Sequence, residues 1–177
     1  SIGADSWDSA WRGRLRAGPE QIDERKRSRV MSGARRILII DDDDSLRRVI
    51  EYNLQKEGYA VTAAASGEEG LQRFREESFD LVITDITMPG MSGMEVLEQV
   101  KAVSPGTEVV VITAYGTIES AVEAMKKGAA DYVTKPFNRD EFRIIVERTL
   151  RLRDLEQENR RLRAELRDKY RFEGIIG

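Results

Sequence analysis

Four times along this chain a short apolar run gives way abruptly to reactive polar residues. Ile37-Leu38-Ile39-Ile40 is followed by Asp41-Asp42-Asp43-Asp44, and Leu81-Val82-Ile83-Thr84 by Asp85. Val109-Val110-Val111-Ile112 runs into Thr113, and Asp131-Tyr132-Val133-Thr134 into Lys135-Pro136. In a parallel sheet all four ends lie on one edge, the edge at which open α/β sheets bind ligands. Carboxylates, a hydroxyl and an ammonium group then converge on one site. Such a set can hold a divalent cation and a phosphoryl group.

The stretches between these runs have helical signals. Asp44-Ser45 is placed to cap a helix to about Glu57, with Leu46, Val49, Ile50 and Leu54 on its apolar face. After Gly58, Tyr59 to Ala64 reads as a further strand. Ser66-Gly67-Glu68-Glu69 fits a capping box that opens a helix to about Glu77. Further helices are expected from about Met94 to Val103 and from about Ile118 to Lys127, the latter ending at Gly128. Five strand-helix units with short connections argue a parallel sheet covered by helices on both faces.

Composition narrows the chemistry. The chain has 177 residues, no cysteine and no histidine. Thiolate metal sites and disulfides are excluded, as are an imidazole base and a phosphohistidine of its own. A phosphoryl donor must be another protein or a small molecule. No apolar run approaches the roughly 18 residues of a membrane span, so a cytoplasmic protein without membrane contact is expected. The net charge of -3 hides a basic start: residues 1–36 carry 9 basic and 5 acidic residues, among them Arg25-Lys26-Arg27 and Arg29. With no periodic apolar face, residues 1–34 are expected to form a disordered tail. Met31 is a plausible natural start, with residues 1–30 either an upstream extension or a cloning remnant. Direct nucleic-acid binding is not expected.

Residues 36 to about 150 resemble the receiver domain of bacterial two-component response regulators. The family's acidic pair matches Asp41 and Asp42, and its phosphoacceptor matches Asp85 in Asp85-Ile86-Thr87-Met88-Pro89-Gly90. Its Ser/Thr matches Thr113, its switch aromatic Tyr132, and its Lys-Pro pair Lys135-Pro136. Each motif alone is common; all of them in order, each at a strand end, are specific. The segment from Gly116 to Met125 is similar to receivers of the NtrC type. The resemblance implies a flavodoxin-like, doubly wound five-stranded parallel sheet of order 2-1-3-4-5, with a receiver domain over 35–150.

It also implies a chemistry. Mg²⁺ would be held by carboxylates of Asp42 and Asp85 and the Thr87 carbonyl, with Asp41 acting mainly through a metal-bound water. Asp85 would accept a phosphoryl group from a sensor histidine kinase. Lys135, the Thr113 hydroxyl and the Ala114 N–H would bind its oxygens, and Thr113 and Tyr132 would carry the switch. Asp43 and Asp44 are expected to be exposed helix-start residues. Lys135-Pro136 would be a cis bond, as in the family. The module would signal and not act as an enzyme. One competing reading is an Asp-nucleophile phosphatase resembling the haloacid dehalogenase superfamily, since Asp41-Asp42-Asp43 contains its Asp-x-Asp pattern. Another is a stand-alone receiver acting by protein contact.

The end of the chain points to assembly. Asn138 can cap a last helix of about 30 residues, with acids in its first turn. Ile145, Leu152, Asn159 and Leu166 recur by sevens, and Leu155 and Leu162 follow Leu152 and Asn159 by three. This a/d seam with one Asn predicts a parallel coiled-coil homodimer through Leu152, Leu155, Asn159, Leu162 and Leu166, with 151–171 as coiled-coil linker. Residues 172–177 resemble the start of the AAA+ domain of sigma-54-dependent activators, whose own AAA+ domain would be the further partner. No Walker motif occurs.

Overall fold

The computed structural model describes residues 34–176, with side chains to Arg171. The expected tail, with Trp7 and Trp11, lies almost wholly outside the described residues. Five strands alternate with five helices: β1 (Arg36–Ile40), α1 (Asp44–Lys56), β2 (Ala60–Ala64), α2 (Gly67–Glu76), β3 (Leu81–Asp85), α3 (Gly93–Val103), β4 (Glu108–Thr113), α4 (Ile118–Lys126), β5 (Asp131–Thr134) and α5 (Arg139–Ile176). All strand pairs are parallel, in the order β2-β1-β3-β4-β5. The expected flavodoxin-like sheet is therefore present.

The central strands carry continuous apolar runs, with polar residues only at their ends, because helices cover both faces. Alternate residues point to opposite sides. Leu38, Ile40, Val82, Val109 and Val111 pack with Leu71 and Phe74 of α2 and Val96, Leu97 and Val100 of α3. Ile37, Ile39, Leu81, Ile83, Val110 and Ile112 pack with Ile50 and Leu54 of α1 and Phe142, Val146 and Leu150 of α5. Each such fully buried side chain contributes about 1.5–3 kcal/mol by leaving water.

Helix starts follow local chemistry. Ser66 and Ser92 accept from the N–H groups of Glu69 and Glu95. At α2 the Glu69 carboxylate reaches the Ala65 N–H, one residue before the expected capping-box partner. At α1 the cap is Asp43, which accepts from the Leu46 N–H at 3.1 Å, and Asp44 lies in the first turn. This corrects the expected Asp44-Ser45 cap by one residue. Val49 is 49% exposed, so the apolar face of α1 is narrower than expected. The helix meets the sheet through buried Ile50 and Leu54, with half-buried Leu46 packed beside them.

Helix α5 runs longer than expected and passes Gly174 without a break. Asn138 caps it, accepting from the Glu141 N–H at 2.6 Å. Ile145 packs against the core with Val146 and Leu150, so it belongs to the domain and not to a free seam. From Leu152 onward the seam leucines are half-exposed: Leu152 56%, Leu155 57%, Leu162 47% and Leu166 54%. None of the described helices is long and apolar enough to cross a membrane.

Candidate functional site

The C-terminal edge of the sheet gathers the acidic residues. Asp41 directly follows β1 and is fully buried. Its Oδ1 accepts from the Asp43 N–H at 2.9 Å, and its Oδ2 faces Lys135 Nζ at 3.3 Å. Asp85 closes β3, 4% exposed. Its Oδ1 accepts from the Thr87 N–H at 3.0 Å, and its Oδ2 takes a 2.7 Å hydrogen bond from Lys135 Nζ. Asp42 is exposed, yet one oxygen from each of Asp41, Asp42 and Asp85 lies within 4.8 Å of the others. Asp43 and Asp44 stand apart as the helix start. These three carboxylates fit a hard divalent cation, which takes oxygen ligands and keeps waters on an open side; exposed Asp42 and Thr87 border that side.

Lys135 is delivered by β5. Its N–H donates to the Thr113 carbonyl at 2.8 Å, and the Lys135–Pro136 peptide is cis. Burial alone would depress the Lys135 ammonium. The hydrogen bond to Asp85 and the charges of Asp41 and Asp85 outweigh burial and hold its pKa above the usual lysine value. At Asp41 burial dominates and raises the carboxyl pKa, although the Asp43 N–H and Lys135 pull it down. Folded Asp41 thus binds a proton more readily than unfolded Asp41. Stability then falls as pH rises from the unfolded value of 3.8 through the higher folded value. In metal-free buffer, Asp41→Asn is expected to flatten that decline and to raise the thermal midpoint at neutral pH. Melting curves across the acidic range check this; an equal decline in the variant would contradict it.

Thr113 is buried at the end of β4, where its Oγ1 accepts from the Tyr115 N–H at 3.1 Å. In this state it caps the strand end. Ala114 next to it is exposed. Tyr132 is half-buried, and its hydroxyl shares a 2.7 Å hydrogen bond with Ser120 Oγ in the first turn of α4. Ser120 in turn completes a capping box with Thr117.

Three residues near the site, Arg47, Glu68 and Ser120, make contacts that the sequence reading left out. Arg47 donates to the Asp41 carbonyl at 2.7 Å and to Asp44 at 2.5 Å. The Glu68 carboxylate accepts from the Met91 N–H at 2.9 Å, tying α2 to the loop after Asp85. Ser120 meets Tyr132 across 12 residues. Only Arg47 had a local signal, its spacing of three from Asp44 on a helix.

Gly93 controls the loop after Asp85. Its N–H donates to the Ile86 carbonyl at 2.9 Å, and a Cβ there would lie 2.1 Å from the Asp85 carbonyl oxygen. That neighbour is backbone and cannot rotate away. Gly93→Ala is expected to cost about 3 kcal/mol, the upper end of overpacking effects. Gly106→Ala, whose Cβ meets nothing within 4 Å, should melt near the parent. Equal melting temperatures for the two variants would refute this.

Comparison with known proteins places this arrangement. A model of the response regulator receiver domain matches residues 37–147. Regulatory protein AtoC of Escherichia coli (strain K12) is 37% identical over 146 residues, covering 82% of this chain and 32% of AtoC. NtrX from Brucella abortus, solved in complex with ATP, superposes with a TM-score of 0.70 at 32% identity, over 73% of this chain and 30% of NtrX. The beryllofluoride-activated NtrC4 receiver domain dimer gives a TM-score of 0.64 at 30% identity, over 67% of this chain and 98% of that one. The chain spans about a third or less of the length of the curated relatives it matches, 26% for the Transcriptional regulatory protein ZraR of Escherichia coli (strain K12).

Proposed function

This chain belongs to the response regulator receiver domain family, and from that premise we propose that Asp85 accepts a phosphoryl group from a histidine kinase. The observation that carries the reading is the convergence of Asp41, Asp42, Asp85 and Lys135 on one sheet edge. An Asp85 oxygen attacks phosphorus, the phosphorus–nitrogen bond of the donor breaks, and an acyl phosphate forms on Asp85. Asp42, Asp85 and the Thr87 carbonyl would hold Mg²⁺, with Asp41 acting through its water. When bound, the cation would supply charge neutralisation at the phosphoryl oxygens, where phosphoryl transfer needs it most. Lys135 binds one of those oxygens, exchanging its ion pair with Asp85 for one with the phosphoryl group. Thr113 Oγ1 and the Ala114 N–H donate to the others.

The same contacts supply a switch. When Thr113 Oγ1 turns to the phosphoryl group it leaves the Tyr115 N–H, and the space it vacates admits the Tyr132 ring. Tyr132 then gives up Ser120, and the start of α4 loses a partner. The output passes through α5, which pairs with a second copy through Leu152, Leu155, Asn159, Leu162 and Leu166. The chain is the regulatory portion of a cytoplasmic transcriptional activator of the sigma-54-dependent type, controlling assembly of an AAA+ domain that begins near residue 172. The description of ZraR as a transcriptional regulatory protein, the greater length of AtoC and ZraR, and the ATP bound to NtrX support a regulatory portion of a longer transcription regulator. The phosphatase alternative loses support because Asp43, the second acid of its pattern, is engaged in capping α1.

Incubation with Mg²⁺ and acetyl phosphate is expected to add one phosphoryl group, read by intact mass; an unmodified chain would overturn the proposal. Asp42→Asn removes a metal carboxylate and should weaken Mg²⁺ strongly in a titration. Asp43→Asn should leave the affinity near that of the parent. Equal losses at both positions would place the acidic pair one residue off.

A further inference from the structure

At the N-terminal edge of the sheet, opposite the acidic cluster, three separate backbone segments meet α5. Asp80, just before β3, accepts from Arg153 through Oδ1 at 2.5 Å and from the Arg36 N–H through Oδ2 at 2.8 Å. Gly106, in the turn before β4, accepts from Arg153 Nε at 3.0 Å. Asp154, one residue on, pairs with Arg35 just before β1. Arg153 and Asp154 are half-buried, while Leu155 and every described side chain after it is exposed. Leu150 is the last core residue of the helix.

Without these contacts the helix would lose its hold on the domain at Leu150 and could pivot there. Arg153 extends the hold by a turn. Its planar fork engages a carboxylate and a carbonyl at once, fixing direction as well as distance. The Arg35–Asp154 pair is more exposed and contributes less. The contacts occupy positions 153 and 154, and the flanking Leu152 and Leu155 are turned to solvent. One turn of helix thus holds the domain on one side and offers the seam on the other.

We infer that Arg153 is a positioning residue that clamps α5 to the N-terminal edge of the sheet through Asp80 and Gly106, so that the helix leaves the domain in one direction and one rotational setting, with Leu152 and Leu155 presented to the second copy. Only the last clause rests on the pairing proposed above.

The chain has no cysteine, so two introduced ones can be spin-labelled cleanly. Glu76→Cys on α2 and Ala164→Cys on the side of α5 away from the seam report the angle between domain and helix. Dilution with excess unlabelled chain leaves only distances within one molecule in a double electron–electron resonance measurement. The doubly labelled parent is expected to give one narrow peak. Arg153→Met should spread it into a wide distribution, Arg153→Lys should fall between, and Asp154→Ala should stay near the parent. Asp80→Asn, which keeps an acceptor for the Arg36 N–H but loses the charge, should broaden it as well. A broad distribution in the parent, or a parent-like narrow peak in both Arg153→Met and Asp80→Asn, overturns the clamp. Sedimentation equilibrium of the labelled parent separates the two claims: a monomer removes the pairing and leaves the clamp to be judged on the distances alone.

Discussion

Asp85→Asn is expected to take up no phosphoryl group from acetyl phosphate and Mg²⁺, under conditions in which Asp43→Asn is labelled like the parent. Asparagine preserves the size of the side chain and one acceptor for the Thr87 N–H. It lacks the anionic oxygen that must attack phosphorus. Asp41, the nearest alternative, is fully buried, its oxygens engaged by the Asp43 N–H and Lys135. Asp42 is exposed but carries no ion pair with Lys135 among the described contacts. The loss should therefore be complete, not a slowing. Intact mass is the readout, and full labelling of the asparagine variant would move the acceptor elsewhere.

The second large effect is on assembly. Leu155→Asp combined with Leu162→Asp should convert a dimer into a monomer in sedimentation equilibrium. In a symmetric pair the two substitutions remove four leucines from the seam, each worth about 1.5–3 kcal/mol when buried, and put like charges in their place. In the proposed dimer Asn159 would face Asn159 in a parallel arrangement, which would set Arg151 against Glu156 and Glu158 against Arg163 of the other copy at the flanking positions. Asn159→Leu should raise thermal stability and admit higher oligomers, because the polar pair limits the assembly to two strands. A double-aspartate variant that stays dimeric would shift the interface to the surface of Tyr132 and α4, where Ile118 is 81% and Met125 50% exposed.

The strand ends were legible in the sequence because burial on both faces makes each central strand a continuous apolar run, and its first polar residue marks the sheet edge. That rule located Asp41 and Thr113 directly and Asp85 one residue beyond Thr84; Lys135 follows β5, a half-buried edge strand with no such run, and was marked by its place before Pro136. It could not rank four consecutive aspartates as helix caps, since Asp43 and Asp44 offer the same oxygen at nearly the same place. Backbone direction after Asp41 decides, and it favours Asp43. The heptad count overreached at Ile145 for a related reason: a seven-residue repeat and a core-facing stripe coincide over two turns, and only the sheet beneath α5 separates them. Contacts such as Arg153 to Asp80, 73 residues apart, leave no periodic trace.

Because α5 is one uninterrupted helix from Arg139 to Ile176, its far end behaves as the tip of a lever whose fulcrum lies beside the sheet. The arm beyond Asp154 is about 33 Å long at about 1.5 Å per residue, so a tilt of about 5° at its base sweeps the tip through about 3 Å. A displacement too small to disturb the packing around Phe142 and Val146 would thus arrive at the end of the helix larger than the shift that started it, with no hinge on the way to absorb it.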